Sequence, residues 1–254
     1  DAEQRTLDTL VAALADQADS ALAASQTALE ATVDELATGA WLANDDLAEP
    51  VLRTRAATLP WVRQLLILDL RGRVVQSAHP QREQPAFAHA DYVRVAIGAP
   101  RGSAHLGKPE RWPGEAAPLL PLSVPWYAAD GHQVGVVVLV ADLSLLTGSF
   151  TRTRPAPDAG LHVLGRQGDV WLSEPAGTAA LAGGPTRAQD WLVVEHALRR
   201  APLTLAVTRD RAAVLRDWTQ QVDLSVAIAA VVMAATAALA LRHARELRWR
   251  ESSQ

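Results

Sequence analysis

From Leu224 to Leu241 the chain carries no charged side chain, no proline and no glycine. As a helix rising about 1.5 Å per residue, this run is roughly 27 Å long, close to the hydrocarbon thickness of a bilayer. Only a helix satisfies its own backbone in lipid, and the Ala, Leu and Met of this run form helices readily. Arg242, His243, Arg245, Arg248, Trp249 and Arg250 follow immediately. A dense basic cluster beside an apolar span marks its cytoplasmic end, with Trp249 as an interfacial anchor. Residues 222–241 are therefore expected to form a transmembrane helix, 242–254 the start of a cytoplasmic extension, and 1–223 to lie outside the cytoplasm. A buried core helix is the competing reading, and the abrupt charged border argues against it.

At the other end, Ala2 to Trp41 reads as one helix. Leu7, Leu10, Val11, Leu14, Ala18, Ala21, Leu22, Leu29, Val33 and Leu36 recur at helical spacing, with Asp, Glu and Gln on the opposite face. A helix of this extent is on the order of 55 Å long, too long to pack along one small sheet. Part of it is expected to pair with a second copy of the chain or to emerge from an upstream membrane span. A short helix follows, Glu49 to Thr58.

The pattern then changes to strands. Arg63–Asp69 and Arg73–Ser77 flank a turn at Arg71-Gly72, and a short helix is expected around Ala90 to Ile97. The Gly- and Pro-containing stretch from Gly98 to Pro121 reads as a surface loop. Leu122–Tyr127 and Gln133–Val140 form a second hairpin, and Asp142 opens a helix over Leu143–Phe150. Ile67–Ser77 also aligns without a gap on Val163–Ser173, the two copies sharing Gly72 with Gly168, Val74 with Val170 and Ser77 with Ser173. In each copy a later strand ends near an acid that opens a helix, Asp142 in the first and Asp210 in the second. This conserved order of elements predicts two related modules in tandem, each an antiparallel sheet flanked by helices. The second module runs through Arg211–Gln221 into the membrane segment.

Catalytic chemistry finds no foothold. The chain has no cysteine, which removes thiolate ligands, disulfides and a Cys nucleophile. Its His residues lack the spacing of a metal site, and there is no Gly-x-Ser-x-Gly elbow or phosphate loop. No enzyme activity, metal or cofactor is expected within this chain. His105 and His132 fall in expected loops and are read as solvated. The net charge of −4 makes nucleic acid a poor partner.

Leu66–Asp69 with Gly72, His89–Arg94, Leu122–Pro125 with Asp130-Gly131, and Gly135–Leu143 occur in an order that resembles the double Cache (PDC-like) extracytoplasmic sensor domains of bacterial receptors. The resemblance covers nearly the whole chain. It implies an α+β chain with a long N-terminal signalling helix (1–45), a larger membrane-distal PAS-like module (46–150), a smaller membrane-proximal one (151–221), then the membrane helix. It further implies a small-molecule ligand in the distal module, a place in the bacterial inner membrane, and a cytoplasmic histidine kinase or diguanylate cyclase as output. A homodimer is expected because a single span has no partner against which to move. The pocket is expected between the distal sheet and its cover, Phe87 to Tyr127, with His89, Tyr92, Arg94, Trp112, Ser123 and Trp126 supplying aromatic walls and polar anchors. Arg94 is expected to hold an anionic group, and Asp142 aligns with the family acid that receives a ligand amine, although it also stands where a helix cap belongs. Amino-acid-binding members carry an Arg-x-Trp-Tyr cluster where this chain reads Asp91–Ile97, so another ligand or another binding mode is implied. The alternative is a protein-interaction module with no small-molecule ligand.

Overall fold

The computed structural model describes residues 2–38, 45–80, 87–112, 115, 117–147, 150, 154–174, 191–214, 231–233 and 236. Ala-rich and free of Gly and Pro, Ala2–Thr38 winds into one helix, α1. Its apolar stripe is buried from Leu7 to Leu36, with only Leu10 half-buried. The helix is longer than either sheet, and it buries this stripe by lying across two sheets in succession. Its C-terminal half packs on the first sheet and its N-terminal half on the second. The described stripe therefore needs no second copy to cover it.

α2 (Asp45–Ala56) leads into β1 (Val62–Asp69) and β2 (Val74–Ser77), then α3 (Asp91–Ala96), β3 (His105–Leu106), β4 (Leu119–Tyr127), β5 (Gln133–Asp142) and α4 (Ser144–Thr147). These strands form an antiparallel sheet in the order β2-β1-β5-β4-β3. β6 (Gly160–Leu164), β7 (Val170–Glu174), β8 (Trp191–Ala197) and β9 (Thr204–Asp210) form a second sheet, ordered β7-β6-β9-β8. The orders correspond strand for strand, except that among the described residues the second sheet has no counterpart of β3. The expected loop over Gly98–Pro121 is thus partly strand. It contains β3 and the start of β4, because Gly107 N–H bonds to Pro121 O at 2.9 Å and Glu110 and Leu119 exchange backbone bonds. His105 belongs to that strand and is half-buried, not a solvated loop residue.

The internal repeat is a repeat of geometry. Ile67 pairs with Gln76 and Leu68 with Val74 around a bulge, and the aligned Val163 pairs with Leu172 and Leu164 with Val170 around the same bulge. Gly72 and Gly168 adopt φ of 71° and 77°, a left-handed conformation that favours glycine. Asp142 Oδ1 accepts from Ser144 N and Asp210 Oδ1 from Ala212 N, each at 2.9 Å, so both modules leave their last strand through the same aspartate turn.

α1 is tied to both modules by polar contacts as well. Trp61 Nε1 donates to Ser25 Oγ at 3.0 Å, and Arg55 pairs with Glu35 at 2.6 Å. Towards the other end, the buried Asp19 carboxylate accepts the backbone N–H groups of Arg199 and Arg200 in the β8–β9 turn, each at 3.0 Å. Residues 211–214 continue from β9 as helix. Among the described residues no helix is long and apolar enough to cross a membrane. Of the expected span 224–241 only 231–233 and 236 are described, and 242–254 lie outside the described residues.

Candidate functional site

The first sheet is covered on one face by α1 and on the other by α3 and the segments beside it. Alternation along the strands assigns Leu120, Leu122, Val124 and Trp126 to the α1 side and Leu119 and Ser123 to the α3 side. The space between the sheet and α3 is filled. Leu66, Leu68, Phe87, Tyr92, Val93, Val136, Val138 and Val140 form one buried cluster there with Trp112.

The open volume lies at the end of this sheet. A cleft of about 540 Å³ is bounded by the end of α2, the start of β1, and the segments around His79 and Trp112. Arg53, Arg63, His79, Trp112 and Glu115 supply its polar and aromatic lining, with Leu59, Pro60 and Leu119 apolar. Gln64 builds one wall. Its amide oxygen accepts from His79 N at 3.0 Å and its amide nitrogen donates to His79 O at 2.8 Å, pinning the chain after β2 against β1. Arg63 pairs with Asp142 Oδ2 at 2.7 Å, across the strand end where Asp142 is registered with Leu119. Trp112 is buried and lies against Phe87 with ring centroids 5.0 Å apart. Its indole N–H has no acceptor among the described residues. A buried donor left unpaired costs about 1–3 kcal/mol.

Of the residues singled out in the sequence, Trp112 lines the cleft and Asp142 stands at its edge through Arg63. Tyr92 is on the buried face of α3 and donates to Glu110 Oε1 at 2.8 Å. Burial, reinforced by the Glu110 carboxylate, holds its hydroxyl well above the ordinary tyrosine range, so it remains a proton donor. Ser123 is fully buried and donates to Tyr92 O at 2.8 Å. His89 is exposed in the turn before α3. Arg94 points outward from α3 to Asp91, at 2.7 Å, and Trp126 packs on the α1 side of the sheet. The seven residues are thus not brought to one place. Arg53, Arg63, Gln64 and His79 were not singled out, although a glutamine on the same strand face as Leu66 and Leu68 is a visible break in an apolar pattern.

Two further hollows exist among the described residues. A groove of about 770 Å³ between α1 and α2 is lined by Ala24, Ala28, Ala31, Val51 and Leu59. A mostly apolar cleft of about 490 Å³ lies between the modules, with Val95, Leu106 and Trp171 in its walls and Lys108, Arg166 and Asp169 as charged groups at its lining. No group of His, Asp or Glu side chains among the described residues is arranged to hold a metal ion.

No protein-family model matches the chain, and no curated protein matches it in sequence. Solved structures do match. The extracellular domain of rpHK1S-Z16, described as a histidine kinase, superposes with a TM-score of 0.70 at 17% identity, over 84% of this chain and 96% of that one. The ligand-binding domain of the Pseudomonas aeruginosa amino-acid chemoreceptor PctC, bound to GABA, gives a TM-score of 0.64 at 15% identity, over 81% and 99%. That of the Pseudomonas fluorescens chemoreceptor CtaA, bound to L-serine, gives 0.61 at 13% identity, over 82% and 97%. With its long first helix and two antiparallel sheets of matching strand order, the chain has the fold of the extracellular ligand-binding domains of histidine kinases and chemoreceptors, the double Cache arrangement that its sequence motifs resemble.

Proposed function

We propose that this chain is the extracytoplasmic ligand-sensing input domain of a membrane-bound bacterial receptor, with the cleft at the end of the first sheet as its ligand site. The observation that carries this reading is the cleft of about 540 Å³ in a sensor fold, lined by both charged and apolar side chains and walled by a buried tryptophan whose N–H lacks an acceptor among the described residues. Its volume and mixed lining suit a small molecule. The ligand acts by favouring one of two arrangements of the modules on α1. α1, bonded to the first module at Ser25 and Glu35 and to the second at Asp19, carries that change between them. The helix that leaves β9 after Asp210 passes it through Leu224–Leu241 to a cytoplasmic histidine kinase or diguanylate cyclase, in a homodimer. The chain itself performs no catalysis.

A second reading is favoured by a specific observation. The space between the first sheet and α3 is occupied by side chains, and an apolar groove lies open between α1 and α2. These features suit an extracytoplasmic interaction module without a small-molecule ligand. A thermal-shift screen of residues 1–221 against carboxylates, amines, amino acids and nucleobases separates the two readings. A ligand bound only by the folded state raises the melting temperature by mass action. A stabilising compound supports the sensor; no shift with any class supports the interaction module.

A further inference from the structure

We propose that residues 105–112 form a strap that reports the state of the first module's cleft to the second module, through an ion pair between Lys108 and Asp169. The pair crosses from one module to the other, Lys108 Nζ to Asp169 Oδ2, at 2.7 Å. Asp169 lies in the β6–β7 turn, where its carboxylate also accepts from Trp171 Nε1 at 3.0 Å and its carbonyl accepts from Gly165 N at 2.7 Å. Whatever displaces Lys108 therefore acts on a carboxylate that helps to set that turn.

The other end of the strap is Trp112, a wall of the cleft. Trp112 stands four positions after Lys108, at most about 13 Å of chain at 3.3 Å per residue. Between them the strap is pinned to its neighbours. Glu110 exchanges backbone bonds with Leu119 at 2.8 and 2.9 Å, and its carboxylate accepts from Tyr92 Oη. At Gly107 the strap lies so close to the sheet that a Cβ would come within 2.8 Å of the Pro121 and Tyr92 side chains. Backbone bonds at Gly107 and Glu110 join this short segment to β4, so a shift of Trp112 that moves Glu110 also moves Lys108. A ligand that moves Trp112 to satisfy its N–H would thus strain or slip the strap at Lys108.

The magnitude suits a bias more than a lock. Lys108 and Asp169 are 69% and 37% exposed, and an exposed pair of this kind changes an equilibrium by at most roughly fivefold. That is enough to tilt a nearly balanced pair of arrangements.

The coupling to a ligand rests on the sensor reading, but the strap is testable without any ligand. Hydrogen exchange is measured at the Gly165 and Gly168 amides, both bonded within the β6–β7 turn, in the full chain and in Lys108→Met, Trp112→Phe and the double variant. Lys108→Met is expected to speed exchange in this turn about two- to fivefold. Trp112→Phe, which keeps a ring against Phe87 but removes the N–H, is expected to change exchange at the same amides, and the double variant to fall short of the product of the two. Unchanged turn amides in Lys108→Met overturn the ion-pair link. Changes in Trp112→Phe that stop within residues 87–142, or effects that simply multiply, overturn the strap. Failure of the ligand screen leaves this outcome untouched.

Discussion

Replacing Asp19 with Ala tests the attachment of α1 to the second module. The side chain is 9% exposed and accepts two backbone N–H groups, from Arg199 and Arg200, each at 3.0 Å. Hydrogen bonds to a charged acceptor contribute about 1.5–3 kcal/mol each. Both donors belong to exposed turn residues and partly regain water when the carboxylate goes, which brings the expected loss to about 2–4 kcal/mol in total. For a chain of this size such a loss lowers the melting temperature by about 5–12 °C. Asp19→Asn keeps one acceptor oxygen and should lose roughly half as much. Asp16, whose ion pair with Arg199 is 63% and 76% exposed, is the control: Asp16→Ala should cost less than about 1 kcal/mol. Thermal unfolding gives the global loss, and hydrogen exchange at the Arg199 and Arg200 amides gives the local one. An Asp19→Ala melting temperature within a degree of the parent, with unchanged exchange at both amides, would refute the reasoning.

The repeat supplies a matched pair of substitutions at equivalent turns. Gly168→Ala meets open space and bears only the cost of its positive φ, about 1 kcal/mol, whereas a Cβ at Gly72 would lie 2.5 Å from the Ala88 backbone nitrogen, so Gly72→Ala should cost clearly more in thermal unfolding. Gly135→Ala would place a Cβ 2.1 Å from Leu68 O inside the first sheet, and a loss of about 3 kcal/mol or more is expected, read as poor folding or a strongly lowered denaturant midpoint. His162 is buried across the second sheet, its ring bonded to Thr208 Oγ1 at 2.9 Å and Ser173 Oγ at 3.0 Å, and burial lowers its pKa from the usual 6.5. The unfolded chain then binds the proton more readily than the folded one. Stability is full above the unfolded value, declines as pH falls below 6.5, and levels off once the folded value is passed; melting curves of His162→Asn should show a shallower decline than the parent's.

The hairpins were legible because their requirements are local. Gly72 and Gly168 stand where the backbone must turn left-handed, and the valines after them resume pairing at the same offset. α1 was legible as a helix, but its partners were not: the strands it covers lie far along the chain, so the sequence did not show that two sheets would share it. The site divides in the same way. Ser123 and Trp126 stand three positions apart in one strand, an odd offset, so they face opposite sides of the sheet. On α3, burial of Tyr92, Val93 and Ala96 turns Arg94 outward. Both facts follow from periodicity. The cleft itself joins Arg53, Arg63, His79 and Trp112 from four separate stretches, and no local pattern brings those together.

The central claim is that a small molecule binds in the cleft beside Arg63 and Trp112. Calorimetric titration of the strongest stabilising compound from the thermal-shift screen tests it, comparing the parent with Arg63→Ala and Arg94→Ala. Loss of a charge-assisted bond of about 1.5–3 kcal/mol predicts roughly 10- to 150-fold weaker binding to Arg63→Ala. Arg94, turned outward to Asp91, predicts unchanged affinity for Arg94→Ala. Parent-like affinity in Arg63→Ala, or a loss confined to Arg94→Ala, would contradict the account.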